Sequence, residues 1–392
     1  MEFSGEYEVY LDNSATTRPF DQVIDAMSQS MRAGFYNPSA LYGKAVEAEK
    51  GLKRARQAVA TALYADEKNV IFTSGGTESD NLAIYSALNG ARKGSAVLYS
   101  AAEHPAVKNA CMEMANLFEC EAKEIPLDSR GQLDLSALEQ LLNPQVRLIC
   151  LMQVCNETGV IMPVRRVARM RDRLAPRALL HVDGVQGFLR VPFSMLESGA
   201  QSYAISAHKI HGPKGVGALI TQDKLRIKPM LLGGGQQRNL RSGTENTPGI
   251  AGLEAAIRQY PNTAYASSQM HGLKARLLEL LRQRLPELIV LGPDVEDEDA
   301  ASHILAISLP PVRSETMVHA LEGDHILVGT GSACSSHKGK HSAVLTAMGM
   351  TDAIMESFIR ISFSPLNTYE QIDYVADRIV KNYHMLSRYV RR

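Results

Sequence analysis

The stretch SAHKIHGPKGVG, Ser206 to Gly217, sets a lysine between two histidines and closes in a Gly/Pro-rich turn. Taken alone, Lys209 reads as a solvated surface charge. Its surroundings change that. SYAISA (202–207) runs into it and VGALIT (216–221) leaves it, two short apolar runs of strand type split by turn residues. Upstream, ALLHVD (178–183), VRLICLMQV (146–154), SAVLYS (95–100) and NVIFT (69–73) continue the series. Helical patterns lie between and before them. In KAVEAEKGLKRARQAVATALY (44–64), Ala45, Ala48, Leu52, Ala55, Val59 and Ala62 fall at helical spacing with charges opposite. TESDNLAIYSALNG (77–90) reads as a helix closed by glycine. Strands alternating with helices predict an α/β domain built on a largely parallel sheet.

Beyond Gln259 the texture changes. A long helical pattern, TAYASSQMHGLKARLLELLRQRL (263–285), leads into ASHILAISLP, SETMVHALEG, ESFIRISFS and a terminal helix opening at NTYEQIDYVADRIV, where Thr368 and Gln371 have capping-box spacing. This predicts a large domain over 18–259 and a smaller α+β domain formed by 260–392 with residues 1–17. Lys plus Arg equals Asp plus Glu at 42 each, which gives no reason to expect direct nucleic-acid binding. No apolar run approaches the roughly 18 residues of a membrane span. The acidic start MEFSGEYEVYLDN lacks a basic region followed by an apolar one, so the expectation is a soluble, cytoplasmic protein without membrane contact. Five cysteines without a CxxC pair predict neither a disulfide framework nor a metal site, and Cys111, Cys120, Cys150 and Cys155 read as small buried hydrophobes.

Three strand ends bear on Lys209. NVIFTSGGTESDN is a strand, a Ser-Gly-Gly turn and a helix start near Thr77, an arrangement that leaves backbone N–H groups free for a phosphate. HVDGVQ puts Asp183 at one strand end, and SAHK puts Ser206, His208 and Lys209 at the next. Strand carboxyl ends face the crevice where α/β proteins bind ligands. A lysine for a Schiff base, a carboxylate for a pyridinium nitrogen and a phosphate turn together indicate a pyridoxal 5'-phosphate site.

The ordered motifs YLDNSATT, NPSALYGKA, FTSGGTESDN, EHPAV, CNETG, HVDGVQ, SAHKIHGPKGVG, GGGQQRNLRSGTEN, GSACSS and IRISFS run nearly end to end. In these the chain resembles the pyridoxal-phosphate-dependent cysteine desulfurases, of the class V aminotransferase superfamily and fold type I. The resemblance implies a large domain with a mostly parallel seven-stranded sheet, a smaller domain carrying a catalytic cysteine loop, and a homodimer. It implies that Lys209 carries the cofactor, that His104 stacks on its ring and handles protons at the substrate thiol, and that Asp183 and Gln186 bind the ring nitrogen and phenolic oxygen. Gly76, Thr77, Ser206 and His208 would hold the phosphate, with Thr244 reaching it from the other subunit. Asn37, Asn156 and Arg360 would bind the substrate carboxylate.

The reaction turns on Cys334. VGTGSACSSHKGK is rich in Gly, Ser and Thr, with no reason to bury its cysteine, and His337 and Lys338 stand beside it to favour a thiolate. By resemblance, Cys334 takes the sulfur of L-cysteine as a persulfide, L-alanine leaves, and the sulfur passes to an acceptor protein, an iron–sulfur scaffold or a tRNA-thiolation enzyme. The spacing after GSAC resembles the long-loop group of the family. A selenocysteine lyase and a non-catalytic scaffold of a sulfur-transfer complex are the alternative readings.

Overall fold

The computed structural model describes residues 8–222, 225–330 and 341–389. Its strands, in chain order, are β1 Val9–Tyr10, β2 Val70–Thr73, β3 Ala96–Ser100, β4 Glu121–Ile125, β5 Val146–Met152 and β6 Leu179–Asp183. They continue with β7 Ser202–Ser206, β8 Gly217–Thr221, β9 Ile289–Val290, β10 Ile304–Ser308, β11 Ile326–Leu327 and β12 Phe358–Ser362. Seven of them form the central sheet in the order β2-β8-β7-β6-β5-β3-β4. Only β8 is antiparallel to its two neighbours; the other pairings are parallel. The six strands legible as apolar runs are all present. The seventh, β4, has the sequence EAKEI and is largely exposed, and a charged sheet edge of this kind resists pairing with other chains.

β6, β7 and β8 are buried along their whole length, as expected of strands covered on both faces by helices. Helix Gly76–Leu88 lies on one side, and its buried Leu82, Ala83, Ile84 and Leu88 join two of the apolar clusters. Helix Val164–Leu174 packs Val167 and Ala168 into the main cluster. Helices Asp21–Ala33 and Gly43–Ala62 both pack on helix Thr247–Gln259.

A second, antiparallel sheet, β12-β10-β9, carries helix Tyr369–Leu386, which packs on helix Thr263–Arg284. Thr368 and Gln371 form the capping box that their spacing predicts. The N-terminal segment links the two parts. Val9 and Tyr10 pair in parallel with Ile326 and Leu327, Asp12 bridges to Ser362, and Thr17 then hydrogen-bonds to the His208 carbonyl beside the central sheet. Among the described residues, no helix is long and apolar enough to cross a membrane.

Candidate active site

The carboxyl ends of β2, β6 and β7 open at one place. After β2, Gly75 adopts φ 155 and ψ −174, a region that glycine alone enters freely, and helix Gly76–Leu88 begins at the next residue. A Cβ on Gly76 would stand 2.5 Å from Val185 Cγ2, so backbone at this turn lies tight against the end of β6. Thr77 is exposed in the first helical turn, and Ser206 lies buried at the end of β7, 3.8 Å from where a Gly75 Cβ would be. Asp183 closes β6 at 5% exposure; one of its carboxylate oxygens accepts from the Val185 N–H at 2.9 Å. Burial raises its pKa to about 7, helped by the nearby Asp80 charge.

Lys209 ends the short helical turn Ala207–Lys209 and is not a free surface charge. Its Nζ donates to the Ser14 carbonyl and, at 2.8 Å, to the Ala15 carbonyl. Burial first, and the charges of Arg190 and Arg360 next, bring its pKa down to about 7. A lysine in that state supplies a nucleophilic amine near neutral pH. His208 bonds the Thr16 hydroxyl at 3.1 Å and is depressed to about 4 by burial and by Lys209.

The N-terminal segment DNSATT, residues 12–17, is the hub of these contacts, and no role was assigned to it from sequence. Ser14 O also accepts from Gln186 Nε2 at 2.9 Å, while the Ser14 hydroxyl is buried without a partner among the described residues. Thr17 Oγ1 donates to His208 O and accepts from the His211 N–H. His211, the second histidine beside Lys209, is buried, with Nδ1 donating to Arg18 O and Nε2 meeting the Ser364 hydroxyl. Lys214 is exposed.

His104 caps helix Pro105–Leu117, accepting the Ala106 N–H on Nδ1 at 3.1 Å. It keeps solvent contact. The crowding of the site nonetheless lowers its pKa, with Asp183 opposing and Lys209 reinforcing the shift. Behind it, Glu103 accepts from the Met152 N–H at 2.6 Å and is raised well above the carboxylate range by burial and by Asp183. His181 Nε2 meets Asp80 at 3.1 Å and Nδ1 meets Ser202 at 2.8 Å. Burial raises the pKa of Asp80 and lowers that of His181 to about 4, so His181 meets the carboxyl as a neutral imidazole rather than as a cation.

Across from Lys209, Arg360 projects from β12 at 5% exposure. It pairs with Asp12 at 2.8 Å and donates to the Asn156 carbonyl at 3.0 Å, and its Nε is buried with no partner among the described residues. It does not snorkel to solvent; its guanidinium faces the strand ends. Glu157, next to Asn156, accepts from Ser342 Oγ, and Ser342 caps helix Ala343–Ala347. Asn37 and Thr244 are exposed; the Asn37 side chain accepts from the Ser39 N–H. Cys334, His337 and Lys338 lie outside the described residues. Of the other cysteines, Cys111, Cys150 and Cys155 are buried as expected, whereas Cys120 is half-exposed at the turn before β4.

A family model for class-V aminotransferases matches residues 9–375. The chain is 35% identical over 371 residues to a cysteine desulfurase of Nostoc sp., covering 94% of this chain and 91% of that one. It is 34% identical over 371 residues to the cysteine desulfurase NifS of Azotobacter vinelandii, covering 94% and 90%. A solved structure of a NifS-like protein superposes with TM-score 0.89 at 33% identity, over 97% of this chain and all of that one. Proteins of this family depend on pyridoxal 5'-phosphate. The residues here suit it. A low-pKa amine on Lys209, a buried carboxyl on Asp183 with one oxygen engaged, a glycine turn at a helix start and an orphaned Ser14 hydroxyl converge at the strand ends. With that family matched along nearly the whole sequence and the same fold in a solved relative, the chain belongs to the class-V aminotransferases.

Proposed function

We propose that the protein is a cysteine desulfurase, using pyridoxal 5'-phosphate to move sulfur from L-cysteine to an acceptor protein and releasing L-alanine. The observation that carries this reading is Lys209, an amine near pKa 7 at the strand ends of a chain whose relatives bear that name. Lys209 would hold the cofactor, Asp183 and Gln186 its ring, and Gly76, Thr77, Ser206 and His208 its phosphate. When bound, the cofactor supplies an electron sink for charge developing at the substrate Cα.

The protein's own groups do the rest. Arg360 and the Asn156 side chain take the cysteine carboxylate, the free Arg360 Nε completing the clamp. Lys209 removes the Cα proton. His104, kept neutral by its surroundings, accepts the substrate thiol proton. Cys334 thiolate attacks the substrate sulfur, so that the C–S bond breaks as an S–S bond forms. The three-carbon product regains its protons and leaves. The persulfide on Cys334 passes to an iron–sulfur scaffold or a tRNA-thiolation enzyme.

We further propose a homodimer and a division into residues 18–259 against 1–17 with 260–392. Two exposed site residues, Asn37 and Thr244, flank apolar surface. Asn37 sits among Phe35, Leu41 (100% exposed) and Tyr42. Thr244 lies two residues from Ser242, whose N–H bonds the carbonyl of Leu231, beside Leu232 at 82% exposure. A second subunit covering this surface would carry Thr244 to the partner's phosphate site.

The test is alanine and sulfide production from L-cysteine with a reductant, for the wild type and Cys334→Ala side by side. Retained cofactor colour with sulfide lost in the variant is expected. A variant matching the wild type sinks the desulfurase reading, and a wild type active on L-selenocysteine alone selects the lyase.

A further inference from the structure

Arg190 is 2% exposed, and no carboxylate among the described residues pairs with it. That is unusual, because a buried cation without an anion is costly unless neutral acceptors surround it. They do. One terminal nitrogen donates to Gln186 Oε1 at 2.8 Å, and the other donates to the carbonyls of Asn13 and Lys209. The Tyr260 hydroxyl also meets the guanidinium. Arg190 stands in the turn that follows β6, four residues past Gln186, so one side chain spans the β6 turn, the Lys209 turn and the N-terminal segment.

The geometry has two consequences. Gln186 must present its carbonyl oxygen to Arg190, because a guanidinium has only donors. Its NH2 group therefore turns toward Ser14 O and the strand-end crevice. The Lys209 backbone is held from behind by a charge that no accessible pH removes.

We propose that Arg190 is a positioning residue for Lys209 and Gln186, a buried fixed cation that orients the amide and anchors the lysine turn. The inference rests on the reading of Lys209 as the cofactor lysine and deepens it. Arg190 touches neither substrate nor reacting atoms. The groups facing Lys209 are Arg190 and Arg360, both disfavouring its proton, with Asp12 and Asp183 opposing, and His104 and His208 beside it. Those influenced by Arg190 in addition are Tyr260, His211 and His303. Of the two cations acting on Lys209, Arg190 is the stronger, and Arg360 is already paired with Asp12.

The experiment is a pH titration of the visible absorbance of the pyridoxal-phosphate-loaded protein, for wild type, Arg190→Gln and Arg190→Lys. Cofactor retention on dialysis and a thermal melt are recorded alongside. Removing the charge lets the lysine nitrogen keep its proton longer, so Arg190→Gln should move the transition up by about 1 pH unit. Arg190→Lys keeps the charge but not the fork. Its transition should stay within roughly 0.3 unit of the wild type while retention weakens about tenfold. An unmoved transition in Arg190→Gln, or an equal shift in both variants, overturns the electrostatic role. Should Arg190→Gln fail to fold, Arg190→Lys decides: wild-type retention overturns the orienting role. A colourless wild type would instead remove the cofactor reading beneath, leaving no transition to compare.

Discussion

Arg360 meets the strand ends with its charge half answered. Asp12 holds one terminal nitrogen, the Asn156 carbonyl holds the other, and Nε waits buried. A guanidinium oriented this way presents its remaining N–H in a fixed plane, which suits a carboxylate. Asp12 thus acts through Arg360 rather than on substrate. Asp12→Asn should raise KM for L-cysteine about tenfold, roughly the 1.4 kcal/mol of one weakened charged hydrogen bond, with kcat and cofactor content little changed. Steady-state kinetics and the visible spectrum of the variant check this together; an unchanged KM would mean that the Asn156 carbonyl alone orients the arginine. At the same scale, Gly184 illustrates backbone constraint. A Cβ there would stand 1.9 Å from Tyr203 Cζ, overlapping a ring whose hydroxyl is tied to Gln153. Any side chain at this position must displace either the Tyr203 ring or the end of the strand that carries Asp183.

The elements show where burial, rather than pattern, sets the energetics. Helix Thr263–Arg284 carries Lys274 at 3% exposure, its Nζ donating to the Ala301 carbonyl at 3.0 Å and to no other group among the described residues. Burial lowers its pKa to about 8, from an ordinary value of 10.5. Below pH 8 the charge is carried in both folded and unfolded chains, and folding bears the full cost of burying it. Between pH 8 and 10.5 the folded chain is already neutral while the unfolded one is still protonated, so stability rises with pH across that window. Lys274→Met lacks this dependence. It should be more stable than wild type at pH 7, and the gap should shrink by roughly 2 kcal/mol by pH 9.5, at 1.4 kcal/mol per unit. Urea unfolding of both proteins at the two pH values measures it, and a constant gap would show that Lys274 is not desolvated.

For the molecule as a whole, the exposed apolar surface around Leu41 and Leu232 is the feature that a single chain leaves unexplained. The dimer reading predicts a solution mass about twice the chain's 42.9 kDa. Leu41→Glu combined with Leu232→Glu should yield monomers with desulfurase activity down at least about tenfold, because each site would lose the partner's Thr244. Light scattering and activity on the same sample decide it; a monomeric but fully active variant would confine the site to one chain.

Six central strands were legible because each is an apolar run bounded by turn residues, and burial on both faces demands that composition. β4 was not, because it is a solvent-exposed edge carrying Glu121, Lys123 and Glu124, whereas the backbone of β2, the other edge, is met by the Gln237 and Arg238 side chains. Lys209, the acid at the end of β6 and the glycine turn were likewise written locally, since strand ends and turns are local events. Their neighbours were not. The carbonyls of Ser14 and Ala15 reach Lys209 across 195 and 194 residues, and Asp12 reaches Arg360 across 348. Backbone carbonyls carry no residue-type signal, and Arg190 in GFLRVP looks like any surface arginine until the fold surrounds it. Local sequence was enough to place six central strands and the side chains that bring chemistry to their ends. Which distant backbone and charges surround Lys209 was set by the fold, because desolvation and Coulomb interactions depend on distance in space and not along the chain.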